Sequence, residues 1–207
     1  MRIGLDFDNT IVSYDELFHK VAVEQGAVPP ETPINKVAVR DYLRRADRED
    51  EWTAMQGYVY GARMHEAVAY AGLSAALRHA VTAGHQLCIV SHKTRHPFMG
   101  PQYDLHAAAR GWIEQHLAGE AGLIDTANIY FELTKTEKIA RIAALECDVF
   151  VDDLPEILLA DNFSPTVARV LFDPEANHAD GATNALYRLK RWQEFPDLLV
   201  QLADRSR

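Results

Sequence analysis

The chain has 207 residues, 48% of them hydrophobic and 25% charged, with a net charge of -9. That is enough chain to bury a sizeable core in one α/β domain carrying a small insertion. The acidic balance argues against a nucleic-acid polymer or an anionic membrane as partner, since both need a basic surface, whereas a phosphorylated small molecule stays compatible because a bound cation reverses the field locally.

In chain order, Arg2–Phe7 reads as a short buried strand ending in acids. From Tyr14 to Tyr70 no buried strand stands out, and helical patterns run over Glu16–Gln25, Val37–Ala46 and Glu51–Ala71. The cluster Pro29-Pro30-Glu31-Thr32-Pro33 separates the first of these from the second. A regular alternation then follows. Helices are predicted over Leu73–Ala83, Tyr103–Leu117, Thr136–Leu145, Pro155–Ala160 and Thr183–Leu202. Strands are predicted over Gln86–Val90, Ala127–Phe131, Val149–Val151 and Val167–Phe172.

Alternating strands and helices imply a mostly parallel sheet covered on both faces, an α/β Rossmann-like three-layer fold. Residues 1–13 and 71–207 would form its core domain, and 14–70 a helical insertion. Cys88 and Cys147 lie in apolar runs without zinc-type spacing and read as buried reduced thiols. No apolar run approaches the roughly 20 residues of a membrane span, and the chain opens at once into a strand pattern, so a cytoplasmic location is expected.

The polar residues at the strand C-termini carry the chemistry, because ligands of open α/β sheets bind outside those ends. The first strand ends in Asp6-Phe7-Asp8-Asn9-Thr10, the second in Ser91, and the fourth in Asp152-Asp153. Lys135 and Lys138 follow the third at a helix start. Asp6 and Asp8 alternate with Phe7, which puts both carboxylates on one side if the strand continues. Such a pair repels unless a proton or a cation compensates, and acids from another strand end favour a cation. An all-oxygen donor set suits a hard ion, with Mg2+ the usual choice beside phosphate. An acidic turn capping a helix is the other reading of Asp6–Thr10 taken alone.

These residues resemble the motifs of the haloacid dehalogenase-like hydrolase superfamily. Asp6-Phe7-Asp8-Asn9-Thr10 is similar to its first motif, Ser91 to its second, Lys138 or Lys135 to its third and Asp152-Asp153 to its fourth. The resemblance implies a phosphatase in which Asp6 attacks phosphorus and Asp8 serves as general acid and base. It implies Mg2+ held by the Asp6 carboxylate, the Asp8 backbone carbonyl and Asp152, with Asp153 assisting. Ser91 and one lysine would hold phosphate oxygens, with Asn9, Thr10 and His92 adjoining them.

The same resemblance makes 14–70 a helical cap insertion. Substrate contacts are expected from Gln56, Tyr60 and Arg63 within it, and from Arg95 and His96 in the loop after Ser91. The function implied is a magnesium-dependent phosphomonoester hydrolase acting on a nucleotide or sugar phosphate. A phosphotransferase or mutase with the same aspartyl-phosphate is the alternative, and a non-catalytic phosphate-binding or signalling module a more distant one.

Overall fold

The computed structural model describes residues 1–178 and 185–205. It divides into two compact units, Met1–Ile11, Ala69–His92 and Leu117–Arg207 in the first, Val12–Val68 and Lys93–His116 in the second. The second unit therefore takes in 93–116, a stretch that the alternation of strands and helices had placed with the core.

The first unit is built on a six-stranded sheet of β1 (Arg2–Leu5), β2 (Gln86–His92), β3 (Ile129–Glu132), β4 (Val149–Asp152), β5 (Ala168–Phe172) and β6 (Tyr187–Leu189). Every neighbouring pair is parallel, and the spatial order is β3-β2-β1-β4-β5-β6. Leu5 pairs with Ile89 on one side and Val151 on the other. The chain thus leaves β1 in one direction and returns to its other flank, so the switch in strand order falls at the end of β1.

Side-chain alternation sends successive residues to opposite layers. Cys88, Val90, Phe150 and Leu171 face Ile139 and Ile142 of the helix Lys135–Ala144, together with Ile157 and Leu158. On the other face Phe172 meets Trp192 at 5.5 Å, and Trp192 meets Phe195 at 5.1 Å. The helices Leu73–Thr82 and Phe195–Arg205 pack together there. The result is the expected three-layer α/β fold. Cys88 and Cys147 are free and buried, their sulfurs 3.8 Å apart.

The C-terminal helix differs from expectation. Thr183 lies outside the described residues, and Tyr187–Leu189 forms the edge strand β6, paired with Val170, Leu171 and Phe172. A 3-10 turn, Trp192–Glu194, precedes a helix that begins only at Phe195. Pro196 explains the start. Proline fits the first turn of a helix but would break the interior of one running from Thr183 to Leu202.

The second unit contains the helices Asp15–Glu24, Lys36–Arg45, Glu49–Tyr60 and Leu105–Ile113. Asn35 caps the second of these, accepting from the backbone N–H of Val37 at 2.7 Å and of Ala38 at 3.2 Å. Phe18 and Trp52 meet at 5.0 Å in its core. The predicted Glu51–Ala71 helix stops at Tyr60, where Gly61 lies under Tyr103. Pro97 packs on Gly57 of the same helix; a Cβ on that glycine would stand 2.6 Å from the proline Cβ. These two contacts bind 93–116 to the helices. Among the described residues no helix is long and apolar enough to cross a membrane.

Gly4 occupies the centre of β1 opposite Phe150. A Cβ there would lie 2.5 Å from Cδ2 of Phe150 and 3.1 Å from Sγ of Cys147. Gly4→Ala is expected to cost about 1–3 kcal/mol by overpacking, read as a fall in Tm of several degrees in a thermal melt. An unchanged Tm would show that the Phe150 ring shifts freely.

Candidate active site

The site grows from the end of β1. The backbone N–H of Asp6 donates to the carbonyl of Val151 at 2.9 Å, carrying the ladder one residue past Leu5. The chain then turns sharply: Ile11 N–H reaches back to the Phe7 carbonyl at 3.0 Å, and Asn9 takes the left-handed conformation with φ 58°. Asparagine enters that region more readily than most residues. Trp192 pins the turn, its indole N–H donating to the Thr10 carbonyl at 3.1 Å. Thr10 itself is fully buried, and its hydroxyl has no hydrogen-bond partner among the described residues.

The flanking strands supply the rest. Ser91 in β2 donates its hydroxyl to Asp6 Oδ1 at 2.8 Å. Asp152 closes β4, and its Oδ1 accepts from the Leu154 N–H at 3.0 Å. Lys138 arrives from the first turn of the helix Lys135–Ala144. That turn is fixed by Thr134, whose side chain accepts from the Glu137 N–H at 3.1 Å and donates to the Glu137 carboxylate at 3.0 Å.

Lys138 is 1% exposed. Its ammonium donates to Asp6 Oδ1 and to Asp152 Oδ2, each at 2.6 Å, and sits 5.5 Å from the centre of the Phe150 ring. Ser91 and Lys138 therefore both address Oδ1 of Asp6, and Oδ2 accepts from neither.

One ammonium between two buried carboxylates leaves the cluster anionic. Burial pushes the Asp6 carboxyl up to about 6; Lys138 opposes this, and Asp152 and Asp8 add to it. For Lys138 burial alone would lower the pKa, but Asp152 and Asp6 outweigh it and hold the ammonium above its ordinary value. One carboxylate oxygen from each of Asp6, Asp152 and Asp153 lies within 4.8 Å of the other two. Three hard oxygen donors around an excess of negative charge fit a divalent cation such as Mg2+. The Asp8 carboxylate is not one of the three, though its charge helps to raise the Asp6 pKa.

The two candidate lysines separate clearly. Lys135 is exposed and ion-paired with Glu156. A ring nitrogen of His92 lies 3.0 Å from the Leu133 carbonyl. The remaining candidates belong to the second unit. Gln56 is half-buried on the helix Glu49–Tyr60. Tyr60 accepts a hydrogen bond from Lys36 at 2.7 Å. Arg63 is held by Glu66 and Glu24, Arg95 pairs with Asp104 at 3.1 Å, and His96 Nδ1 lies 3.1 Å from the Tyr103 carbonyl. The sequence reading missed Phe150 beneath Lys138 and the N-cap that Thr134 makes with Glu137. The second was readable as Thr-x-x-Glu before an apolar run.

No family model matches the sequence. No curated protein matches it either. Solved structures do. A predicted phosphoglycolate phosphatase from Haemophilus somnus 129PT is 14% identical, with TM-score 0.59 over 95% of this chain and 96% of its own. A β-phosphoglucomutase from Pyrococcus sp. strain ST 04 is 13% identical, with TM-score 0.58 over 99% of both chains. A HAD family hydrolase from Deinococcus radiodurans R1, solved with bound phosphate and sodium, is 18% identical, with TM-score 0.56 over 98% of this chain and 96% of its own. At such identities the likeness establishes architecture, and the chain has the fold of the haloacid dehalogenase-like hydrolases.

Proposed function

We propose that the chain is a Mg2+-dependent phosphomonoester hydrolase that works through an aspartyl-phosphate on Asp6. The observation that carries this reading is the buried carboxylate of Asp6, held by Ser91 and Lys138 on one oxygen and set beside Asp152 and Asp153 at the switch point of the sheet.

Asp6, Asp152 and Asp153 would hold the ion through their carboxylates, joined by the Asp8 backbone carbonyl. When bound, the ion neutralises charge so that an anionic nucleophile can approach an anionic phosphate. The residues do the rest. Asp6 attacks phosphorus and the P–O bond of the ester breaks. Asp8 gives its proton to the departing alkoxide. Asp8, now a carboxylate, takes a proton from water as that water attacks the aspartyl-phosphate. Inorganic phosphate leaves and Asp6 is restored. Lys138 and Ser91 meet the negative charge that develops on the phosphoryl oxygens, in a water-poor site where such donors are worth most.

The substrate would be a small phosphorylated metabolite such as a nucleotide or sugar phosphate, selected by the second unit acting as a cap. A phosphotransferase or mutase would use the same first half-reaction, and the likeness to a β-phosphoglucomutase favours keeping it as the second reading. Assays over metabolite phosphates with and without an added hydroxyl acceptor separate the two: the proposal requires inorganic phosphate release without an acceptor, and transfer alone would sink it.

Asp6→Asn is expected to abolish turnover by at least about 10³-fold, and Asp8→Asn to slow it by about 10²–10⁴-fold, in single-turnover assays. Retention of full activity by Asp6→Asn would refute the covalent mechanism.

The raised pKa of Asp6 gives a pH dependence. Between the ordinary 3.8 and about 6 the folded protein binds the extra proton, so without metal its stability falls as pH rises through that window and the loss is complete above it. A cation binds only the deprotonated carboxylate. Mg2+ should therefore raise the Tm at pH 7.5, and the increment should shrink as pH drops below about 6. An increment independent of pH would place the ion away from Asp6.

A further inference from the structure

Cys88 and Cys147 are 59 positions apart in the chain, yet their sulfurs lie 3.8 Å apart inside the first unit. The strand register explains the meeting. Cys88 of β2 pairs with Gly4 of β1, and Gly4 pairs with Phe150 of β4, so these three positions share one face of the sheet. Cys147 approaches that face from the turn before β4. A side chain at position 4 would crowd it, since a Cβ there would lie 3.1 Å from Cys147 Sγ. Glycine at the centre of β1 thus leaves room for the two thiols to meet.

The pair has a route to solvent. Cys147 lines a cleft of about 280 Å³ together with Ala143, Glu146, Asp148 and Thr166, all four of them exposed. A water-sized molecule needs only about 30 Å³. A small peroxide fits such a cleft, whereas a protein oxidant is kept from cysteines that are 2% and 4% exposed.

The two thiols also differ in acidity. Their shared hydrogen bond holds the Cys88 thiol below its ordinary pKa and pushes the Cys147 thiol up. One of the pair is therefore the readier thiolate, with the other beside it to resolve the product.

We propose that Cys88 and Cys147 are a modification site for small peroxides, closing to a reversible intrachain disulfide that the fold accommodates. One sulfur attacks the O–O bond of hydrogen peroxide, becomes a sulfenic acid and releases a water. The second sulfur attacks the first, the S–OH bond breaks, and a second water leaves with the remaining thiol proton. Two thiols lose two electrons and one peroxide becomes two waters. The sulfurs move from 3.8 Å to a bond of about 2.05 Å. The bond would tie β2, which carries Ser91, to the turn entering β4, which ends in Asp152. None of this rests on the phosphatase reading.

The test treats the reduced full chain with hydrogen peroxide, then unfolds it and caps free thiols with N-ethylmaleimide. The wild type should take up no maleimide, lose the mass of two hydrogens, run as a monomer without reductant and regain both thiols with dithiothreitol. Two free thiols after peroxide, oxidation to sulfinic acid without a bond, or a bond found only between chains overturns the proposal. A thermal melt reads whether the fold accepts the bond. The oxidised wild type should melt several degrees above the reduced chain, because the crosslink restricts the unfolded state. Neither Cys88→Ser nor Cys147→Ser should show that rise after the same treatment. An unchanged or lower Tm in the oxidised wild type overturns the proposal, since the bond would then form at the expense of the fold.

Discussion

The ammonium of Lys138, shared between Asp6 and Asp152, is the interaction on which the site depends. Two carboxylates cannot be buried side by side at the ends of adjacent strands without a counter-charge. Placing that charge constrains the rest. The helix carrying Lys138 must start at Thr134, which the capping contacts with Glu137 secure. The Phe150 ring lies below the ammonium, and that ring fits only because position 4 of β1 has no side chain. The parallel order that puts β2 and β4 on either side of β1 is what brings Ser91 and Asp152 to the same carboxylate. Burial raises the Asp6 pKa, and Lys138 offsets that only in part.

Much of this was legible in the sequence because it is local. Short apolar strands ending in Asp6, Ser91 and Asp152 announce themselves by composition alone. The choice between Lys135 and Lys138 needed the helical period: Lys138 shares its face with Ile142, four residues on, which points it inward, while Lys135 opens the first turn and faces Glu156. What sequence failed to show is non-local. The edge strand Tyr187–Leu189 has no alternation that distinguishes it from the helix after it; it is a strand because β5 offers a free edge to pair with. Pro196 was the overlooked mark of where the helix begins. The membership of 93–116 in the second unit depends on Pro97 against Gly57 and Tyr103 against Gly61, contacts that carry no periodicity.

The fold alone leaves the reaction open, since structures of similar shape include both a predicted phosphatase and a mutase. What sets Asp6 apart is an asymmetry. Two donors crowd one carboxylate oxygen and leave the other to different company.

The second unit is assembled from two stretches of chain, Val12–Val68 and Lys93–His116, so the polypeptide passes between units at four points. Neither stretch is a detachable module. A change in the packing of this unit has to be accommodated across both, because Gly57 is shaped to Pro97 and Gly61 to Tyr103. Bulk gained at either glycine demands bulk lost at its partner. The expected trace is paired substitution at these positions among homologues, a record of packing evolving under steric constraint.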